Sequence, residues 1–163
     1  MSILKVDTIN EKTSGNGVAI PDHVIQTVHV QHFNTGTGNS GGLVLSAGAA
    51  FVDVFSQAIT TKATNSKILL VVSCTAFSTS NLRGQSRIMR GATELYRDPY
   101  AWYTAASNMY THSLSHLDSP SVVAGTTITY QFQGSAPSAD LTVKYADGGG
   151  TTHNSFTIME IAQ

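Results

Sequence analysis

From Ser66 to Phe77 the chain reads Ser-Lys-Ile-Leu-Leu-Val-Val-Ser-Cys-Thr-Ala-Phe, its longest apolar run, rich in β-branched residues and free of Pro and Gly. That composition favours a pleated strand over a helix. In a strand, Ile68, Leu70, Val72, Cys74 and Ala76 point one way, and Leu69, Val71, Thr75 and Phe77 the other. Both faces are largely apolar. A two-sheet sandwich standing alone would wet one of them and show a clean alternation. The pattern therefore predicts a strand lying between its own core and a second subunit. The last strand, residues 155–161, repeats it: Phe156, Ile158 and Glu160 share one face, Thr157, Met159 and Ile161 the other.

Other short strands follow at regular spacing after Pro21. They are predicted over residues 24–33, 43–45, 51–60, 87–90, 94–97, 126–133 and 141–145. Residues 100–116 read as a long irregular strand pair that Asp118-Ser119-Pro120 breaks, and Gly148-Gly149-Gly150 is the last loop. No segment holds a 3.6-residue period. Many short strands with turn signals between them predict an all-β chain, an antiparallel jelly-roll sandwich over residues 23–163. Residues 1–22 read as a separate arm, a β-hairpin turning at Gly15-Asn16-Gly17 and bounded by Pro21. A two-stranded ribbon alone is marginal in water. Ile3, Val6, Ile9, Val18 and Ile20 are thus the expected apolar contacts of the arm with symmetry mates or with a neighbouring protein.

Composition narrows the function. Of 163 residues 12% are charged, about half the ordinary share, and the net charge is −1. A surface of Ser, Thr, Asn and Gly suits a protein hidden in an assembly, and it offers no electrostatic footprint for nucleic acid. The one cysteine, Cys74, cannot form an internal disulfide and is expected to be a packed thiol. The opening Met-Ser-Ile-Leu-Lys-Val-Asp lacks the pattern of a signal peptide, and no apolar run reaches the length of a membrane span. The expectation is folding in a cytoplasm without membrane insertion.

Several words along the chain resemble a family. The opening Ile3-Leu4-Lys5-Val6-Asp7-Thr8-Ile9 with Ser14-Gly15-Asn16-Gly17-Val18 resembles N-terminal repeats of phage tail-fibre and other virion structural proteins, marine and cyanobacterial ones especially. The run from Ile59 to Leu69 is similar to the I-T-P-K-x-x-x-S-K-I-L segment of phage-encoded jelly-roll modules, with Thr61 where the family often has Pro, a departure expected to loosen a turn. Arg87-Ile88-Met89-Arg90-Gly91, Leu117-Asp118-Ser119-Pro120 and Thr157-Ile158-Met159-Glu160-Ile161 fall where the family has similar words. The resemblance implies a tumour-necrosis-factor/C1q-like jelly roll, usually trimeric, on a virion assembled in the host cytoplasm. Fibre tip, head fibre, capsid decoration and tail component all remain open at this point.

Candidate chemistry is sparse. Gly38-Asn39-Ser40-Gly41-Gly42 looks like the nucleophile segment of chymotrypsin-like proteases, but too little chain precedes Ser40 to carry the required His and Asp on a barrel. Of six histidines, His112 and His116 share strand parity yet lie roughly 13 Å apart, too far to hold one ion. No cofactor or metal is expected, although a threefold axis would gather three copies of one histidine. Four of the six tyrosines and the single tryptophan crowd into 96–110. Tyr96, Arg97, Tyr100, Trp102 and Tyr103 are therefore candidate receptor contacts, weighed against plugging the end of the sandwich or the trimer seam. The flanking Arg-Asp-Pro reads as a tight exposed turn. Lys62, Arg83, Arg87, Arg90 and Arg97 are scattered rather than concentrated.

These readings predict a non-enzymatic virion structural protein, a homotrimeric fibre or decoration component attached to other virion proteins through its arm. Leu69, Val71, Phe77, Phe156 and Ile158 are the expected trimer interface. The alternative is a receptor-binding, carbohydrate-recognising tip module that meets a host surface glycan.

Overall fold

A computed structural model describes residues 22–32, 42–48, 50–104, 106, 108–144, 146–147, 150–151 and 154–163. The predicted arm, with Ile3, Val6, Ile9, Val18 and Ile20, and the residues 38–41 lie outside the described residues. The described residues form twelve strands: β1 (Val24–His32), β2 (Gly42–Leu45), β3 (Val52–Thr60), β4 (Lys67–Ser78), β5 (Leu82–Arg90), β6 (Thr93–Thr104), β7 (Asn108–Asp118), β8 (Thr127–Ser135), β9 (Leu141–Lys144), β10 (Ala146–Asp147), β11 (Gly150–Thr151) and β12 (Asn154–Ile161).

The long apolar run becomes β4 and organises the first sheet. β12 and β9 share one of its edges, β7 pairs along the whole of the other, β1 lies outside β12, and β2 lies outside β9. The second sheet has the order β3-β8-β5-β6. All the pairings between named strands are antiparallel. The order 1-12-4-7 facing 3-8-5-6 is the jelly roll that the spacing of short strands predicts. Between β12 and β9 the edge of β4 is briefly uncovered. There the backbone N–H of Thr75 donates to Asn154 Oδ1 at 2.7 Å, which satisfies a buried donor.

Strict alternation on β4 puts Ile68, Leu70, Val72, Cys74 and Ala76 in the core at 1% exposure or less. Facing them are Phe55, Ile88, Tyr130 and Phe132 from the second sheet. Phe156 and Ile158, expected at a subunit seam, are 0% exposed inside this core. They pair with Val72 and Leu70 and so share their inward face. No part of either is left for another chain. Leu69, Val71 and Phe77 lie on the opposite, outward face, half-buried.

Two predicted short strands around Gly91 are in fact one long hairpin, β5–β6, turning at Gly91 with φ 54°. The Arg97-Asp98-Pro99 segment is strand rather than turn. Ser86 pairs with Asp98 and Gly84 with Trp102, so Pro99, Tyr100 and Ala101 bulge opposite Gln85 alone. Asp98 Oδ1 accepts the Tyr100 N–H at 2.8 Å and fixes the bulge.

Two polar clusters tie the fold together. Glu160 is 0% exposed, with no cationic side chain paired to it among the described residues. Its carboxylate accepts Lys62 N–H at 2.9 Å, Ala63 N–H at 3.0 Å and Ser66 Oγ–H at 2.7 Å, with a further short bond from Gln26 Nε2. The turn before β4 is thereby fastened to the last strand. Asp118, at the end of β7, takes Arg90 Nη1 at 2.9 and 3.0 Å and the Tyr130 hydroxyl at 2.7 Å. Burial, followed by the Asp118 carboxylate, pushes the Tyr130 hydroxyl pKa up, so it stays a donor. Thr61 does not loosen its turn. It is buried, donates its N–H to Thr126 O at 2.9 Å and its hydroxyl to Val123 O at 3.0 Å. A proline there would lack the first of these bonds.

Candidate functional site

The aromatic segment on β6 does not form one surface. Trp102 is 0% exposed, and Nε1 donates to Cys74 O at 3.2 Å. Its indole packs edge-on to Phe132 at 6.0 Å and to His112 at 5.7 Å. Gly84 and Gly134 make room for it, since a Cβ on Gly84 would meet the indole at 2.9 Å and one on Gly134 at 3.3 Å. Trp102 is core and is withdrawn as a receptor contact. Tyr96 lies against His116, ring centres 6.1 Å apart. Arg97 joins a polar chain on the second sheet's outer face, described below.

Tyr100 and Tyr103 are the two that remain together. They are 58% and 64% exposed and border a cleft of about 460 Å³ with Arg83. Tyr103 reaches it because Tyr103 pairs directly with Arg83, and Tyr100 because the bulge turns it outward. The Arg83 guanidinium carbon sits 5.1 Å from the Tyr100 ring centre and 5.7 Å from that of Tyr103. Arg83, read from sequence as one of several scattered cations, is the residue that organises this place. Cross-strand pairing of an arginine with an aromatic was the available signal, and the unpredicted bulge concealed it.

The outer faces of the two sheets differ in kind. On the second sheet, a chain of contacts crosses all four strands. Gln133 bonds Asp53 Oδ1 and Arg87 Nε at 2.6 Å each, Arg87 reaches Glu94 at 3.2 Å, and Glu94 reaches Arg97 at 2.6 Å. Phe51 lies under both guanidinium groups, at 4.2 and 5.0 Å. The Arg97 hydrogen bond holds the exposed Glu94 carboxyl below its ordinary pKa.

On the first sheet's outer face no such chain of contacts forms among the described residues. The registers place Leu117, Leu69 and Met159 in one row across β7, β4 and β12, and Met109, Phe77, Thr142 and Val44 in another. Leu117 is 50% exposed and Val44 51%. Between the rows, the small Ser113 and Ser115 leave a hollow of about 220 Å³ beside Val71. Among the described side chains on this face, Lys67 is the single residue of fixed charge.

Among the described residues the buried titratable groups stand apart from one another or from solvent. Burial pushes the Cys74 thiol pKa up, away from the thiolate. Ser86 Oγ lies 3.3 Å from His112 Nε2, but Ser86 is 0% exposed and no substrate reaches it. Among the described residues no three of His, Cys, Asp and Glu gather as a metal set.

His112 has a predictable effect on stability. Its ring stacks on Phe132 at 6.3 Å, and burial lowers its pKa below the ordinary value against the pull of Asp98. The unfolded chain therefore binds that proton more readily. Its contribution to stability is complete above about pH 6.5 and declines as the pH falls below that value. The urea midpoint is expected to drop from pH 7 to 5.5, and His112→Gln to flatten that dependence.

No protein-family model and no curated protein matches this chain. Among solved structures, one of the Gx strain of infectious bursal disease virus is similar at 12% identity and a TM-score of 0.40, over 98% of this chain and 47% of that one. The VP2 subviral particle of infectious bursal disease virus is similar at 12% identity and 0.35, over 98% of this chain and 42% of that one. The chain thus spans less than half the length of either. Both structures come from viral particles.

Proposed function

We propose that this chain is a non-enzymatic structural subunit of a virion, working as a homotrimer and attached to other virion proteins through residues 1–22. The observation that carries the reading is the contrast between the two outer faces. A sheet surface with two apolar rows, a hollow between them and almost no charge is a surface that a sibling covers. Burying a Leu or Met side chain fully is worth about 1.5–3 kcal/mol, so a few per subunit suffice to drive association. In this reading Leu69, Val71 and Phe77 stay at the seam, with Met159, Leu117 and Met109 beside them, while the polar chain on the second sheet faces water. The fibre and decoration roles fit this geometry equally.

The test is Leu69→Glu. It places a carboxylate in the centre of one apolar row and points away from the core. The variant is expected to keep the β-sheet circular dichroism of the parent and to sediment as a single chain at micromolar concentration. A variant that still associates overturns the assignment of this face. A second reading, a carbohydrate-recognising attachment module, is favoured by one observation: the exposed Tyr100 and Tyr103 beside Arg83 at the rim of the 460 Å³ cleft.

A further inference from the structure

From the cleft's own polar groups we infer that it binds an acidic saccharide, a pyranose ring bearing a carboxylate, with Arg83 as the anion-binding residue. This rests on the second reading above and specifies its ligand. Arg83 differs from the arginines nearby. Arg87 and Arg97 are paired with Glu94, and Arg90 with Asp118, whereas Arg83 meets no carboxylate among the described residues. No acidic residue lines the cleft among the described residues. The guanidinium is held over two tyrosine rings and keeps its N–H fork unspent, the form that accepts a carboxylate in two parallel bonds.

The rest of the lining suits a sugar. Tyr100 and Tyr103 offer flat, exposed rings to the C–H face of a pyranose, with hydroxyls at their edges. Gln85 and Ser138 also line the cleft, and neither side chain has a hydrogen-bond partner among the described residues. Asn81 spends its Oδ1 on the Ala106 N–H at 2.7 Å, which leaves its NH₂ as a donor. The volume, about 460 Å³, is within the ~300–1,000 Å³ of small-ligand sites. A nucleic acid would need several cations, and among the described residues the cleft has one. A neutral sugar would use the rings and amides and leave Arg83 without its anion. Carboxylates of this kind occur on uronic acids and on sialic acids, and the geometry serves both.

Titration of the full chain with trigalacturonic acid, 3′-sialyllactose and maltotriose, followed by isothermal calorimetry or shifts of the tyrosine resonances, separates the cases. At least one acidic probe is expected to bind more tightly than maltotriose, to weaken with added salt, and to lose at least tenfold in affinity in Arg83→Gln. Arg83 is exposed, so the variant should melt with the parent, and Tyr103→Ala provides an independent loss through the platform. Equal binding of maltotriose and the acidic probes, unchanged in Arg83→Gln, overturns the acidic class and leaves a carbohydrate module. Acidic binding that survives both substitutions overturns the site. No binding of any probe at millimolar concentration overturns the inference and the second reading together.

Discussion

Replacing Trp102 by alanine is expected to destabilise the protein by about 3–5 kcal/mol, the cost of a fully buried aromatic and the cavity it leaves. The indole is 0% exposed and rests on Gly84 and Gly134, two strand glycines whose absent side chains make its space. Removing it strips Phe132 and His112 of an edge-on partner at 6.0 and 5.7 Å. It also leaves the Cys74 carbonyl without the indole N–H now 3.2 Å away. Trp102→Phe separates the two contributions. It restores most of the volume but not the donor, and its expected cost is about 1–3 kcal/mol. Urea unfolding at pH 7 measures both. Tyr100→Ala and Tyr103→Ala serve as controls within about 0.5 kcal/mol, because those rings face water. A Trp102→Ala protein that unfolds at the parent midpoint would remove the indole from the core.

Glu160→Gln is the second large effect, at about 3 kcal/mol. Among the described residues the buried carboxylate has no arginine or lysine partner and is held by neutral donors: two backbone N–H groups, the Ser66 hydroxyl and the Gln26 amide. Bonds from such donors to a charged acceptor are worth about 1.5–3 kcal/mol each. A glutamine turns one of its two acceptor atoms into an NH₂ that confronts N–H groups and cannot bond them. Ser66→Ala removes one donor and is expected to cost about 1–2 kcal/mol. If Glu160→Gln melts with the parent, the turn over residues 61–66 is not fastened in this way.

The alternation on the central strand was legible from its residues alone. Ile68 through Ala76 point inward at every second position as the pattern requires. What alternation cannot reveal is which face meets which neighbour. That is why Phe156 and Ile158 read as seam residues and proved to be core, while Met159, one position on, lies outward. Parity also fails across a bulge. Tyr100 and Trp102 are two residues apart and would share a face in a regular strand, but three β6 residues opposite Gln85 send one to solvent and the other inside. Gly84 and Gly134 within strands were the clue to a large buried partner.

Within the described residues, the segments that carried the resemblance contribute to two anchors. Lys62, Ala63 and Ser66 meet Glu160 from the closing word, and Arg90 meets Asp118. They are separated by 94 to 98 positions in the first case and 28 in the second, so no local pattern could show their meeting. The cleft was the least legible part, because Arg83 and Gln85 on β5, Tyr103 on β6 and Ser138 after β8 come from three separate segments and gain meaning only when the bulge sets Tyr100 beside them.

The mass of the intact chain in solution, by sedimentation equilibrium or multi-angle light scattering at micromolar concentration, tests the covered face most directly. A particle of three times the 17.3 kDa of one chain is the predicted result. A stable, well-folded single chain, with Leu69, Met159 and Leu117 left against water, would contradict the account.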